Sequence, residues 1–438
     1  MTGFFSEKRR LLAARRLFER LAPLLDLPLG VRLWDGTSVP LGQPGGGVLA
    51  ISGPGVLGAL LRRPTLDNLF RHYVRGDVEI EGIDLLSCFE LAHDRKRRRS
   101  ARPGALRRAF PWREALPLLF ARAPRVRLAH EFSTGEAEAA RGRHDERLIR
   151  FHYDASNEFY ALFLDPEMVY SCAYFTDWQN PIEQAQRDKL DLICRKLRLR
   201  PGESLLDIGC GWGALVCHAA RHHGVRAHGA TLSKAQHEHA QEKIEHLGLA
   251  HRVTVELKDF RELSGSYDKI ASIGMYEHVG IDNYRAYFKK IHGLLADGGL
   301  FINHGITRRA KRDARKFRRA SASREVILKY IFPGAELDHI GHTLEVMETS
   351  GFEIQDVEGL RRHYARTCRL WHDRLAARRD EAIRHVGPER YRMWIAYLAG
   401  VTVGFDRGPL RLFQTLATKQ GQTGALPPTR ADVYAGRG

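Results

Sequence analysis

The stretch Leu205-Leu206-Asp207-Ile208-Gly209-Cys210-Gly211-Trp212-Gly213 decides the fold. An apolar run ends in an acid, passes through alternating glycines and opens at Ala214 into a helical pattern reaching His222. Glycine in such a turn takes left-handed angles freely and lets a ligand approach the main chain. The start of the following helix offers unpaired N–H groups to an anionic group such as a carboxylate. The spacing Gly-x-Gly-x-Gly differs from the Gly-x-Gly-x-x-Gly of dinucleotide folds, so a small zwitterion carrying adenosine fits better than a pyrophosphate. Asp207, Gly209, Gly211 and Gly213 are the expected contacts.

Downstream of the turn, strands alternate with helices. Val225–Ala230, Val253–Leu257, Tyr267–Ile273, Leu300–His304 and Gly351–Val357 read as strands, and Lys234–Leu247 and Tyr284–Leu295 as helices. Long helices are expected over 367–384 and 391–405. This alternation predicts an α/β fold with a doubly wound, mostly parallel sheet. The second strand ends in Ala230-Thr231-Leu232-Ser233 rather than in the usual acid. Thr231, Ser233 and Gln236 are therefore the candidates for ribose hydroxyls. Asp259-Phe260 follows the third strand, where an acid suits an adenine amine and an aromatic covers its face; an acid there is equally a helix cap.

Upstream, residues 1–93 read as a smaller N-terminal α/β domain. Its strands are Val31–Trp34, Val48–Ile51 and Val78–Glu81, and Leu66–Val74 is a helix. Gly45-Gly46-Gly47 is a turn without the frame of a phosphate loop. Residues 94–145, rich in Arg, Ala and Pro, read as a basic linker with one or two helices. Residues 146–438 form the main domain.

Bulk properties narrow the class. A chain of 438 residues exceeds one typical core of roughly 100–200 residues. Its hydrophobic fraction of 43% and charged fraction of 28% are those of a globular protein. No apolar run approaches the ~20 residues of a membrane span. Met1–Arg20 lacks the apolar centre of a secretory signal, so a cytoplasmic protein is expected. The six cysteines include no Cys-x-x-Cys pair, and there is no His-Glu-x-x-His; no metal is expected, and Cys210 and Cys217 read as small buried apolar groups. The net charge of +17 argues for an anionic partner, nucleic acid or anionic lipid. Arg95–Arg99 is wholly basic, and 308–324 carries nine Lys or Arg against one acid. Such runs are either solvated loops or docking patches.

Further motifs have no generic explanation: Phe151-His152-Tyr153-Asp154, Tyr170-Ser171-Cys172-Ala173-Tyr174-Phe175, Gly274-Met275-Tyr276-Glu277-His278-Val279-Gly280, Asn303-His304-Gly305-Ile306, Tyr330-Ile331-Phe332-Pro333-Gly334, and His363-Tyr364 ahead of Leu370-Trp371. In this order around the glycine turn, they closely resemble the cyclopropane-fatty-acyl-phospholipid synthase and mycolic-acid cyclopropane synthase family, over about residues 147–420. The N-terminal unit resembles the extra, lipid-associated domain of the phospholipid-acting members.

The resemblance implies a class I, Rossmann-like methyltransferase that uses S-adenosylmethionine. It implies cofactor contacts from Tyr153 and Ser171, with Gly209, Gly211, Thr231, Gln236 and Asp259 completing the pocket. It also implies a bicarbonate ion held by the backbones of Cys172 and Ile306 and by the side chains of Glu277, His304 and Tyr364. The expected substrate is the cis double bond of an unsaturated phospholipid, with the protein peripheral on the inner face of the membrane and not on nucleic acid. Members are often dimers, so a homodimer is allowed. Val401 departs from the family at a position where many relatives have cysteine.

A neutral alkene has no acidic proton for a base to remove, so catalysis rests on pressing it against the sulfonium methyl; such orientation supplies roughly 7–11 kcal/mol. The carbocation that follows suits aromatic faces, with Tyr170, Tyr174, Phe175 and Trp178 as candidates. Alternatives are a lipid methyltransferase that yields a methyl branch or a methylene, and, more remotely, a nucleic-acid methyltransferase or a non-catalytic lipid-binding protein.

Overall fold

In a computed structural model, residues 5–42, 46–98, 109–123, 126–128, 131, 156–319, 321–422 and 426–434 are described. Phe151–Asp154, with the expected contact Tyr153, most of 94–145 and the Arg95–Arg99 side chains lie outside them. By its internal contacts the chain divides into two units. One comprises Met1–Phe132, Ala320–Ile331 and Arg379–Val403; the other comprises Ser133–Arg319, Phe332–Arg378 and Gly404–Gly438. This division does not follow the sequential boundaries 1–93, 94–145 and 146–438, because two later segments gather with the N-terminal residues.

In the first unit, Ala14, Leu17, Phe18 and Leu21 recur at helical spacing and are buried by the helix Glu7–Leu25. The helix was not legible among the surrounding Arg and Glu residues. It starts at Ser6, whose hydroxyl accepts from the Arg9 N–H. Strands β1 (Gly30–Arg32), β2 (Ser38–Pro40), β3 (Val48–Ile51) and β4 (Val78–Glu81) form a sheet of order β2-β1-β3-β4. The helix Trp112–Leu119 adds Ala115 and Leu118 to the same core. That part of the expected linker is therefore packed structure.

The second unit holds a seven-stranded sheet of β5 (Ser204–Ile208), β6 (Arg226–Thr231), β7 (Val253–Leu257), β8 (Tyr267–Ile273), β9 (Leu295–Arg308), β10 (Phe352–Gly359) and β11 (Leu410–Lys419). Its order is β10-β11-β9-β8-β5-β6-β7. The pairs β7-β6-β5-β8-β9 are parallel, while β11 runs antiparallel to both β9 and β10. The order reverses at β5, so the crevice beyond its carboxyl end is where such sheets bind ligands. The fifth predicted strand is longer than expected, since β9 continues through Gly305 and Ile306 to Arg308. The strand β11 was absent from the sequence reading. It is buried on both faces, and Gln414, Thr415 and Thr418 interrupt the apolar run that marks such strands. The expected helices 367–384 and 391–405 occur as Arg361–Ala377 and Arg379–Asp406, the second broken at Gly387 with φ of 76°.

Candidate active site

The turn after β5 is built as its glycines require. Gly209, Gly211 and Gly213 have φ of 81°, 56° and 80°, angles that cost a side chain dearly. The N–H groups of Gly209 and Cys210 donate to the Ala230 carbonyl at 2.9 and 3.0 Å, tying the turn to the end of β6. A cleft of about 1070 Å³, counting its open mouth, lies over the turn. Ser171, Asp207, Gly209, Gly211, Thr231, Gln236 and Phe260 all line it. Gly213, Ser233 and Asp259 are not among the lining residues. Gly213 heads the helix Ala214–His223. The Ser233 hydroxyl accepts from the Gln236 N–H at 3.4 Å as a helix cap. Asp259 also caps, accepting from the Arg261 N–H at 2.8 Å, and its two oxygens hold the Arg261 guanidinium at 2.9 and 2.8 Å. Asp259 thus caps the short helix Phe260–Glu262, whose first residue, Phe260, lines the cleft.

The cleft presents polar atoms suited to a cationic amino-acid ligand. Asp207 is buried, and its Oδ1 has no hydrogen-bond partner among the described residues. Burial pushes its carboxyl up to about 7, against the pull of the Lys189 charge. Lys189 donates to the Ser171 hydroxyl at 2.9 Å, and burial brings its ammonium down to about 8. The Thr231 hydroxyl donates to Gln236 Oε1 at 2.8 Å. An unpartnered acid beside three left-handed glycines fits a cofactor with a positive ammonium and sulfonium.

A second constellation is built on β9 and the short helix Tyr276–His278. Glu277 is buried, and its Oε1 accepts from the Ile306 N–H at 2.5 Å. Ile306 thus joins the site through its backbone, as a partner of Glu277. The other oxygen, Oε2, is buried without a partner among the described residues, and burial pushes the carboxyl up to about 7. His304 stands two residues earlier on β9 and is 1% exposed. Its Nε2 is also buried without a partner among the described residues. Desolvation, with the charges of Lys189 and Lys196, holds its imidazole well below the usual range and hence neutral.

The His304 proton can be placed. The β-sheet register sets Gln414 of β11 opposite His304, and Glu358 of β10 opposite Gln414. Lys196 bonds the Glu358 carboxylate and donates to Gln414 Oε1 at 2.8 Å. An ammonium only donates, so the Gln414 amide is oriented with Nε2 toward His304 Nδ1, 3.0 Å away. His304 Nδ1 then accepts, and the proton sits on Nε2, the unpartnered atom.

Cys172 and Tyr364 meet through Leu360, whose carbonyl lies 3.9 Å from the Cys172 thiol and accepts from the Tyr364 N–H at 3.1 Å. The Tyr364 ring packs on Phe405 at 4.5 Å and, edge-on, on Trp371 at 6.1 Å. Trp371 in turn packs on Tyr170, which lines the cleft. The other aromatic candidates are placed differently from expectation. Tyr174, Phe175 and Trp178 surround His363 at 4.8, 6.2 and 5.0 Å, and Arg362 and Arg366 cover Trp178 and Phe175. None of the three lines the cleft; they pack the segment after Ser171 onto the helix Arg361–Ala377.

Lys189, Lys196 and Gln414 were missed. The two lysines stand seven apart on the helix Ile182–Lys196, in line with the buried Ile182, Gln186 and Ile193. A cation repeating on an apolar helical face was a readable signal, since lysine is almost never buried without a partner.

Comparisons with known proteins agree with this geometry. A family model described as mycolic acid cyclopropane synthetase matches residues 140–415. The chain is 38% identical over 414 residues to a probable fatty acid methyltransferase of Pseudomonas putida, covering 94% of this chain and 97% of that one. It is 36% identical over 264 residues to cyclopropane mycolic acid synthase 2 of Mycobacterium bovis, covering 58% and 87% of the two chains. The solved structure of mycolic acid cyclopropane synthase CmaA1 complexed with SAH and CTAB superposes with a TM-score of 0.59 at 35% identity, over 63% of this chain and 98% of that one. The chain belongs to the mycolic acid cyclopropane synthetase family of S-adenosylmethionine-dependent, lipid-modifying methyltransferases.

Proposed function

We propose that this enzyme builds a cyclopropane ring on the cis double bond of an unsaturated phospholipid acyl chain. S-adenosylmethionine supplies a sulfonium methyl to one alkene carbon when bound. The chain's own residues do the rest. The glycine turn and Asp207 orient the donor, and the apolar wall of Leu190, Ile193 and Tyr170 excludes water. Ring closure then requires that the new methyl lose a proton.

The observation that carries this reading is the pair of unpartnered buried atoms, Glu277 Oε2 and His304 Nε2. One belongs to a carboxyl that burial raises to about 7, and the other is an N–H donor. Together with Tyr364 and the backbone of Cys172, they would hold bicarbonate, which supplies the base for that proton, while the Ile306 N–H, spent on Glu277 Oε1, fixes the carboxyl in place.

The exposed cations Arg309, Lys311, Arg312, Arg315, Lys316, Arg318 and Arg319 support docking on an anionic bilayer, each being worth about 1 kcal/mol near such a surface. No helix among the described residues is long and apolar enough to cross a membrane.

A second reading keeps the methyl transfer but not the ring. It is favoured by the probable fatty acid methyltransferases of Pseudomonas putida and Mycobacterium tuberculosis, which match 94% and 90% of this chain. Purified enzyme, labelled S-adenosylmethionine and anionic vesicles of unsaturated phospholipid separate the two. Cyclopropane resonances in the product NMR, lost when the buffer is freed of bicarbonate and restored on adding it, support the proposal. A methyl-branched or methylene product establishes the second reading.

A further inference from the structure

The helices Ile182–Lys196 and Ala214–His223 pack together away from the chemistry described above. Asp191 and Cys194, three residues apart on the first, share one face. His218 and His223 lie on the second. The Cys194 sulfur and one ring nitrogen from each histidine all fall within 4.8 Å of one another. Cys194 is fully buried. The Nε2 atoms of both histidines are buried and have no hydrogen-bond partner among the described residues. Asp191 Oδ1 stands 3.6 Å from His223 Nε2, while its other oxygen faces Arg195 at 3.0 Å.

Buried nitrogens without partners are uncommon and point to a ligand. Two such imidazoles, each bringing one ring nitrogen within 4.8 Å of a thiol from a neighbouring helix, are a donor set, not a packing accident of one element. We propose that Cys194, His218 and His223 bind a borderline-soft divalent cation of the zinc class, with Asp191 as the fourth ligand. A thiolate, two imidazoles and a carboxylate make a neutral tetrahedral complex with such an ion. Metal–sulfur and metal–nitrogen lengths of about 2.3 and 2.0–2.1 Å set the donors about 3.5 Å apart, so the three donors within 4.8 Å close by side-chain rotation, and Asp191, 3.6 Å from His223 Nε2 but outside that cluster, completes the set by turning toward it. Binding releases the Cys194 thiol proton to solvent, and no other bond changes.

None of the four residues lines the cofactor cleft, but Leu190 and Ile193, beside Asp191 and Cys194, do. A bound ion would therefore staple the helix that carries Lys189 and Lys196 to the helix that opens from the glycine turn.

The test uses full-length protein stripped by a chelator and titrated with Co²⁺. One equivalent should bind with tetrahedral ligand-field bands and a thiolate-to-cobalt charge-transfer band, and Zn²⁺ should displace it. Cys194→Ser should lose the charge-transfer band. Because Cys194 sits in the core, His218→Gln and His223→Gln, at partly exposed positions, are the second arm. Each should lose stoichiometric binding while keeping the circular dichroism of the parent. Absence of cobalt binding, a spectrum without thiolate charge transfer, or unchanged binding in both histidine variants overturns the proposal.

Discussion

Gln414→Glu is the sharpest probe of the proposed anion site, because it keeps the volume of a buried side chain and reverses one hydrogen bond. In the parent, Lys196 takes Gln414 Oε1, so the amide donates to His304 Nδ1 and leaves the proton on Nε2. A glutamate accepts from both sides. It keeps the Lys196 contact, but His304 Nδ1 must then donate. Burial and the charges of Lys189 and Lys196 hold the imidazole neutral, so the single proton moves to Nδ1 and Nε2 becomes a lone pair. The site loses one donor to an anion. A hydrogen bond to a charged partner contributes about 1.5–3 kcal/mol, so turnover should fall roughly 10- to 150-fold. Product formation on unsaturated phospholipid vesicles gives the rate, and ¹⁵N chemical shifts of the His304 ring give the tautomer. A neutral Nδ1–H ring with turnover near that of the parent would show that the Nε2 donor is not needed. A doubly protonated ring, or a proton still on Nε2, would show that the Lys196–Gln414 pair does not set the tautomer.

Three further outcomes follow from the same geometry. Glu277 is held up to about 7 in the folded chain against 4.5 for the free group; its contribution to stability is therefore complete below pH ~4.5, declines by about 3 kcal/mol as the pH rises to ~7, and is flat beyond. Glu277→Gln should accordingly be more stable than the parent at pH 8 and no more stable at pH 4 in urea unfolding, while ring formation falls about 10²- to 10⁴-fold; an advantage of equal size at both pH values refutes the buried acid. Asp207, raised to about 7 by burial, should bind a cationic donor more tightly as the pH passes from 6 to 8, and Asp207→Asn should flatten that rise in calorimetric titrations of S-adenosylmethionine; a parallel rise in the variant excludes Asp207 as the source. A Cβ at Gly305 would lie 2.0 Å from the Tyr276 ring, so Gly305→Ala should cost about 1–3 kcal/mol by overpacking and displace Glu277, the next residue, seen as a lower melting temperature together with lost turnover; full activity in that variant would show that the Tyr276–Glu277 segment tolerates movement.

What could be read from the sequence, and what could not, divides along a physical line. The glycine turn was legible because three left-handed residues at alternate positions leave a compositional trace in the sequence. The strands β5 to β9 were legible because helices and parallel strands alternate with different hydrophobic periods. Ser171, Thr231 and Gln236 were placed on the cleft by a combination of local position and family resemblance. Reading was least decisive where one residue type serves two ends. Asp259 has the composition of a ligand-binding acid and also caps a short helix while holding Arg261. Tyr174, Phe175 and Trp178 have the composition of a cation-stabilising wall, yet they hold a segment against His363.

The deepest miss, β11, is also the most informative. A strand with Gln414, Thr415 and Thr418 buried costs the fold several desolvated polar groups, each of which must find a partner. Gln414 finds two, Lys196 and His304, and is thereby fixed in orientation. A row running Glu358, Gln414, His304 across three strands, with a lysine closing one end, leaves His304 Nε2 at the other end without a partner among the described residues. The same polarity that hid the strand from hydrophobic pattern reading is what fixes the His304 proton on Nε2, the atom assigned to the proposed anion.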